Sequence, residues 1–130
     1  MPLFSIPSPY GIGTLGLEAR KFVDFLHAAG QSCWQMLPVG PISYGDSPYQ
    51  SFSSYAGSPY YVDPDILIED GLLTKEEVSS PDFGQDPEKI DYGKLYENRI
   101  GLLRKAARRG IARDREAFSA FIRKKAWLPD

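Results

Sequence analysis

Residues 3–39 read LFSIPSPYGIGTLGLEARKFVDFLHAAGQSCWQMLPV, and this stretch gives the strongest indication of the fold. The apolar segment Leu3–Ile6 predicts a short strand, which the following proline ends because proline has no amide hydrogen for a sheet ladder. Apolar residues at three- and four-residue spacing predict a helix over residues 17–29, and Gly30 is typical just after a helix C-terminus. The apolar run Cys33–Val39 has the length of a second strand. Strand, helix and strand in this order predict a βαβ unit of an α/β fold.

The composition is that of a globular chain of about one domain. It has 130 residues, a formal net charge of −2, 42% hydrophobic residues and 25% charged residues, which argues against disorder. The sequence pI near 5.4 gives no general reason to expect nucleic acid or an anionic membrane as a partner. No apolar run approaches the ~20 residues of a membrane span, and the N-terminus does not resemble a signal peptide. We therefore expect a cytoplasmic protein.

The single cysteine and the single histidine limit the chemistry. One cysteine excludes an intrachain disulfide framework and a multi-cysteine zinc site. Cys33 begins an apolar run and is expected to be a small core residue. His27 falls near a predicted helix C-terminus, where an interaction with the helix dipole is favoured over catalysis. We expect no metal and no cofactor.

Residues 11–16 match the pattern G-x-G-x-x-G between a predicted strand and a predicted helix. A dinucleotide site requires the glycines directly at the strand end and an acidic residue about 20 positions later. Prolines intervene before the first glycine, and the run Cys33–Val39 contains no acid. The favoured interpretation is a tight connecting loop, and a nucleotide site is the minor alternative.

The C-terminal half predicts helices. The predicted elements are a short helix over residues 65–70 ended by Gly71, a capping box at Thr74 and Glu77, a long helix Tyr92–Arg109 ended by Gly110, and a third helix Arg115–Trp127. The long helix is expected to place one apolar face inward, formed by Tyr92, Tyr96, Ile100, Leu103 and Ala107. The basic run over residues 104–115 suits the solvated side of a helix better than a nucleic-acid patch, because no aromatic residues are interleaved with it.

Residues 40–61, which we call the aromatic loop, read GPISYGDSPYQSFSSYAGSPYY. Six of these 22 residues are aromatic, and glycine and proline interrupt every regular period. A long irregular stretch in a compact domain is uncommon and is usually functional. Aromatic faces beside hydroxyl, amide and carboxylate groups suit a sugar, whose C–H face packs on a ring while its hydroxyls bind polar groups. The alternative is that these rings only pack the loop onto the scaffold.

Several motifs resemble one enzyme family. They are SPYGIGTLG at residues 8–16, GQSCWQMLP at 30–38, YGDSPYQSFS at 44–53, AGSPY at 56–60 and IDYG at 90–93. In this order they resemble the N-terminal part of the 4-α-glucanotransferases, also called amylomaltases or disproportionating enzymes. The resemblance implies the N-terminal portion of a (β/α)8 TIM barrel with an inserted helical subdomain. The barrel would be incomplete in this chain, with the βαβ unit at about 3–39, the aromatic glucan-binding loop at 40–61 and the helical insertion at about 65–130.

The resemblance also implies a chemistry. The family transfers a segment of an α-1,4-glucan to a new 4-OH position by a retaining double displacement, in which one carboxylate attacks and a second donates a proton. The family's catalytic carboxylates lie on later barrel strands, so the isolated chain is expected to be inactive and to require the remainder of the barrel. The alternative is a non-catalytic glucan-binding or remnant fragment.

Site residues follow from the same motifs. The resemblance places Tyr49 at the sugar beside the scissile bond, with Asp46 and Ser47 shaping that subsite. Tyr44 and Tyr96 match residues of a second glucan-binding site. The expected partners are maltooligosaccharides and α-1,4-glucans, and neither nucleic acid nor a membrane.

Overall fold

The structure is a computed structural model that describes residues 1–42, 47, 49–84, 86, 88–125 and 127–128. In chain order, it has a 3-10 helix at Leu3–Ser5, α1 at Leu17–Ala28, a 3-10 helix at Pro59–Tyr61, α2 at Pro64–Glu69, α3 at Lys75–Ser79, α4 at Tyr92–Lys94, a π-helical turn at Leu95–Arg99, α5 at Ile100–Arg113 and α6 at Arg115–Lys124. None of the helices in the described part is long and apolar enough to cross a bilayer.

Local capping chemistry sets most of the helix ends. Thr74 Oγ1 accepts a hydrogen bond from the Glu77 amide, and the Glu77 carboxylate accepts one from the Thr74 amide. The capping box predicted for α3 is therefore confirmed. Gly30 and Gly71 follow α1 and α2 with φ of 73° and 70°, a conformation that favours glycine. The predicted bounds of α1 and α2 and the predicted start of α3 therefore lie within one residue of those observed.

The two predicted strands are not present among the described residues. Leu3–Ser5 form a 3-10 helix, in which the Ile6 amide donates to Leu3 O at 3.1 Å, and residues 33–39 are irregular. A strand requires a neighbour in a hydrogen-bonded ladder, and the described residues form only one isolated antiparallel bridge, Ile42 to Ser51. The apolar side chains of the first segment instead enter the core, with Leu3 and Ile6 buried. The predictions of strands at residues 3–6 and 33–39 are therefore wrong, and the barrel assignment stays a prediction.

One hydrophobic core joins the N-terminal segment to the helices after residue 60. Its buried members are Leu3, Ile6, Ile12, Ala19, Tyr61, Leu73, Val78, Phe83, Leu95, Leu102 and Ala106. Full burial of a leucine-sized side chain contributes about 1.5–3 kcal/mol. Residues far apart in the sequence therefore hold the helices and the loops together.

The buried face of α5 differs from the predicted one by one position. The side chains that face inward are Leu95, Arg99, Leu102 and Ala106, whereas Tyr96 is 69% exposed. The inward residues recur at the four- and three-residue spacing of a helix, so the whole face is displaced by one position, and the π turn lies within it. The helix also continues past Gly110 to Arg113, because Gly110 does not adopt positive φ.

Much of α1 and the following segment is exposed. Ala19 is the buried residue of α1, whereas Val23 and Phe25 are 48% and 63% exposed. Cys33 is exposed, so the prediction that it is a core residue is wrong. Trp34 lies edge-on to the Phe22 ring with centroids 4.9 Å apart. Phe22 and Trp34 are partly buried and pack against the core, whereas Val23 and Phe25 face solvent.

Candidate functional site

The aromatic loop is joined at its base by backbone contacts. The Ser58 amide donates to Val39 O at 2.8 Å, and Ile42 pairs with Ser51 in the antiparallel bridge. A Cβ atom on Gly40 would lie 2.7 Å from Ser51 Oγ, so the two sides of the loop meet too closely there for a larger residue. The loop therefore leaves and re-enters the scaffold at nearly the same place.

Serine side chains hold the backbone between these contacts. Ser51 Oγ donates to Ser53 O at 2.7 Å, and Ser53 Oγ accepts the amides of Tyr55 at 3.3 Å and Ala56 at 3.1 Å. Ser58 Oγ accepts the Tyr60 amide at the start of the Pro59–Tyr61 turn. Short hydroxyl side chains commonly stabilise turns in this way. Residues 52–58 lie outside any helix or strand, and these hydrogen bonds give them a defined local conformation.

The aromatic rings of the loop separate into two groups. Tyr49, Phe52 and Tyr55 are 72%, 75% and 74% exposed. Tyr61 is buried, and Tyr60 is half-buried with its ring centroid 6.2 Å from that of Tyr92. The exposed rings provide flat apolar faces to solvent, an arrangement typical of a surface that binds a ligand. The inner pair packs the loop onto the core.

One of the exposed rings contacts a distant aromatic residue. The ring of Tyr55 stacks on that of Trp127, with centroids 5.9 Å apart and an interplanar angle of 23°. Trp127 is half-buried. The indole therefore lies beside the exposed ring of Tyr55, and its fluorescence is expected to change when a ligand packs on the loop.

The structure brings together two of the predicted site residues. The Tyr49 amide donates to Ser47 Oγ at 3.3 Å, and Ser47 is half-buried beneath the exposed Tyr49. Tyr96 lies on a different element, the π turn before α5. Asp46 and Tyr44 lie outside the described residues. The placement of these five residues around a glucan stays a prediction.

Arg99 is a residue that sequence reasoning missed. It is fully buried, and its guanidinium donates from Nη1 to Tyr10 O and from Nη2 to Val62 O, both at 2.8 Å. Burial lowers the pKa of Arg99 to about 10, and the nearby carboxylate of Asp63 opposes this effect, so the side chain is charged at neutral pH. Its spacing of four residues from Leu95 and three from Leu102 is the signal that could have revealed it.

The glycine-rich segment at residues 11–16 packs against the same region. Gly11 has φ of +75°, and a Cβ there would lie 2.1 Å from Phe83 O. A Cβ on Gly16 would lie 1.8 Å from Asp63 Oδ2, and the Thr14 hydroxyl donates to that same carboxylate. These contacts favour the tight-loop interpretation of the motif over the nucleotide site.

The acidic pair Asp63 and Asp65 has structural partners. Asp63 Oδ1 accepts hydrogen bonds from the amides of residues 65 and 66, so Asp63 is the N-cap of α2. Asp65 Oδ1 accepts the Tyr10 hydroxyl at 2.5 Å, and burial together with this hydrogen bond raises the pKa of Tyr10. Neither carboxylate is placed as a free nucleophile or proton donor. The described residues also contain no cluster of three or more potential metal ligands.

Known proteins show close similarity to this chain. A family model described as 4-alpha-glucanotransferase matches residues 1–130. The chain belongs to the 4-alpha-glucanotransferase family. The 4-alpha-glucanotransferase of Clostridium butyricum is 49% identical over 131 residues, covering 100% of this chain and 27% of that protein. That of Thermus thermophilus is 47% identical over 127 residues, covering 95% of this chain and 24% of that protein.

A solved structure of the family superimposes on the same region. The amylomaltase from Streptococcus agalactiae, solved in complex with acarbose, has a TM-score of 0.92 and 42% sequence identity. The match covers 98% of this chain and 26% of that one. The chain therefore spans about a quarter of the length of the family members that it matches.

Proposed function

We propose that this chain supplies glucan-binding surface to a 4-alpha-glucanotransferase, a transferase of carbohydrate metabolism that acts on α-1,4-glucans. The observation that supports this most directly is the exposure of Tyr49, Phe52 and Tyr55 on a loop with a fixed base. A sugar ring packs its C–H face on an aromatic plane, and each such contact excludes water from both surfaces. The family membership and the acarbose complex of the Streptococcus agalactiae amylomaltase support the same ligand class.

The proposed reaction is a retaining transfer. One carboxylate attacks the anomeric carbon while a second carboxyl protonates the leaving glucan oxygen, which gives a covalent glycosyl-enzyme. The second group, now a carboxylate, then takes the proton of an acceptor 4-OH as that oxygen displaces the first carboxylate. Asp63 and Glu77 serve a helix cap and an ion pair, and the family resemblance assigns the reacting carboxylates to other parts of a complete (β/α)8 barrel. In that barrel the aromatic loop would follow a strand at its C-terminal end, the face where such enzymes bind substrate.

Within this surface, we assign Tyr49 to the sugar beside the scissile bond and Asp46 and Ser47 to the same subsite. The hydrogen bond from the Tyr49 amide to Ser47 Oγ supports a shared location for these two residues. We assign Tyr44 and Tyr96 to a second glucan site, and the 69% exposure of Tyr96 leaves its ring available to a ligand.

The alternative function is a glucan-binding fragment with no part in catalysis. The same exposed rings support it, because a stacking surface binds sugar whether or not reacting carboxylates are present. Transfer activity of a protein that joins this chain to the remaining barrel separates the two candidates. Glucan binding without transfer by that protein would favour the alternative.

Binding is tested by titrating the chain with maltoheptaose while following tryptophan fluorescence, since Trp127 stacks on Tyr55. Tyr49→Ala is expected to weaken binding about tenfold, a loss of about 1.4 kcal/mol. Phe25→Ala is the matched control, because Phe25 is 63% exposed but lies on α1 outside the loop. Equal affinity of the Tyr49 variant and the unmodified chain, or no saturable binding by either, would contradict the proposal.

A further inference from the structure

The burial of Arg99 is the feature of the core that hydrophobic packing does not explain. Its side chain is fully buried on a face otherwise formed by Leu95, Leu102 and Ala106. A buried charge is unfavourable unless hydrogen bonds compensate for the lost water. Nη1 and Nη2 have carbonyl partners, whereas Nε has no hydrogen-bond partner among the described residues. An apolar side chain of similar length would fill this space without the cost of burying a charge. Packing alone therefore does not explain why an arginine that binds two carbonyls occupies this position.

Those two carbonyls belong to segments that meet at the end of the aromatic loop. Tyr10 begins the glycine-rich segment, and Val62 directly follows the last residue of the loop. The same two segments are also joined by the Leu15 amide, which donates to Tyr61 O at 2.9 Å. Arg99 therefore bonds to both sides of the junction from the helix beneath.

The irregular helix is part of this arrangement. Arg99 is the last residue of the π turn, and π turns within helices are frequent at functional sites. Arg99 follows Leu95 by four residues, so both side chains lie on the buried face. The contacts of the guanidinium are to main-chain oxygens, so they fix the path of the backbone and not the identity of its side chains.

We propose that Arg99 is a positioning residue for glucan binding, which fixes the C-terminal end of the aromatic loop before glucan binds. The inference rests on the proposed function of the loop. Rings that are already held in their binding arrangement lose less conformational freedom when a ligand packs on them. The Ile42 to Ser51 bridge and the Ser58 to Val39 hydrogen bond hold the base of the loop, and Arg99 adds the contact that holds its Val62 end.

The test compares three variants of the chain. Arg99→Met removes both hydrogen bonds at similar side-chain length, and Arg99→Lys keeps the charge with a single donor group. Arg109→Met is the matched control, because Arg109 lies on α5, which continues from the turn that carries Arg99, and donates to a loop carbonyl, Leu72 O, at 2.9 Å. That carbonyl is remote in sequence from the aromatic loop.

Maltoheptaose affinity is measured at a temperature where each variant is folded. Arg99→Met is expected to raise Kd about tenfold, whereas Arg109→Met is expected to change it less than about twofold. Arg99→Lys should give an intermediate value, which is a partial rescue. An Arg99→Met affinity equal to that of the unmodified chain would overturn the inference while leaving the proposed function intact. If Arg99→Met does not fold, the maltoheptaose affinity of Arg99→Lys is compared with that of Arg109→Lys. An equal affinity of the two lysine variants would then overturn the inference.

Amide hydrogen exchange provides a readout that needs no ligand. Arg99→Met should speed exchange at the amides of Leu15 and Ser58, which bond across the loop junction, and leave that of Ala29 after α1 unchanged. An equal increase at all three amides would indicate a general loss of stability and would overturn the inference. If the unmodified chain does not bind maltoheptaose, the proposed function fails, and unchanged exchange at Leu15 and Ser58 would overturn the role of Arg99 as well.

Discussion

The Thr14 hydroxyl donates a hydrogen bond to the carboxylate of Asp63, and both side chains are buried. The two residues are 49 positions apart, so this contact joins the glycine-rich segment to the start of α2. Asp63 also caps α2 through the amides of residues 65 and 66. One carboxylate therefore fixes a loop and a helix end at the same time.

Thr14→Val should destabilise the chain by about 1–3 kcal/mol, because the substitution keeps the shape of the side chain but removes the donor to a buried carboxylate. Thr14→Ser is the control, since it keeps the hydroxyl and removes a methyl group. The free energy of unfolding from urea titration measures both. A loss for the serine variant as large as that for the valine variant would show that packing, and not the hydrogen bond, is the stabilising contribution.

Gly16→Ala should be among the most damaging single substitutions, with a loss of about 3 kcal/mol or more. The new Cβ would lie 1.8 Å from Asp63 Oδ2 and 3.1 Å from Asp63 Cβ, so the capping residue itself would have to move. Gly57→Ala is the matched control, because no atom lies within 4 Å of a Cβ at that position. The change in thermal midpoint compares the two variants, and similar midpoints would refute the steric argument.

The pH dependence of stability should report the ion pair between Glu77 and Arg109. Arg109 Nη1 and Nη2 donate to the two carboxylate oxygens at 2.7 and 2.9 Å, and Lys105 Nζ lies 2.6 Å from Oε1. The hydrogen bonds from Arg109, then from Lys105, hold the pKa of Glu77 well below its usual range. A carboxyl whose pKa is lowered on folding stabilises the folded state above its unfolded pKa of about 4.3, and this contribution decreases as the pH falls towards the folded value.

Glu77→Gln should therefore lower the urea midpoint at neutral pH, and the difference from the unmodified chain should shrink as the pH falls below about 4. Glu97→Gln is the control, since Glu97 is exposed and has no ion pair within the described part of the chain. Urea titrations at a series of pH values measure both variants. A Glu77→Gln difference that stays constant between neutral and acidic pH would be inconsistent with the lowered pKa.

The isolated chain should not disproportionate maltotriose. The reacting carboxylates are proposed to lie on other parts of the barrel, and Asp63 at α2 and Glu77 at α3 serve a helix cap and an ion pair. A retaining transfer needs two carboxyl groups about 5–5.5 Å apart across the scissile bond. Glucose release from maltotriose is the measurement, with a preparation of the Tyr49→Ala variant as the check on host contamination. Release that disappears in that variant would show that the chain is itself an enzyme.

The helix boundaries were predictable because their causes are local. Thr74 and Glu77 cap each other within one turn, and Gly30 and Gly71 end helices through their own backbone conformation. Strands were not predictable in the same way, because an apolar segment such as residues 3–6 becomes a strand only beside a partner. In this structure that segment turns Leu3 and Ile6 into the core instead.

In the candidate site, too, features with local causes were predictable and features that depend on distant residues were not. The exposure of Tyr49 could be anticipated from an irregular segment rich in aromatic residues, where no periodicity places the ring in a core. Arg99 was missed because a charged residue is by default assigned to solvent, and its partners Tyr10 O and Val62 O lie 89 and 37 positions away. Long-range hydrogen bonds of this kind become visible only in three dimensions.

The last prediction concerns association through exposed apolar surface. On α6, Phe118, Phe121 and Ile122 are 39%, 49% and 39% exposed, and they recur at helical spacing on one side. Contiguous apolar patches of this kind favour association. We therefore expect the chain to self-associate as its concentration rises, by burying this side of α6.

Phe121→Lys should shift the chain towards monomer, because it places a charge in the middle of the apolar side. Glu116→Gln is the charge-matched control, since it also raises the net charge by one but keeps every apolar residue of α6. Sedimentation velocity over a wide range of concentration measures the distribution of species. A monomer at all concentrations for the unmodified chain would refute the prediction. An equal shift for both variants would assign the association to net charge, because the control leaves the apolar side intact.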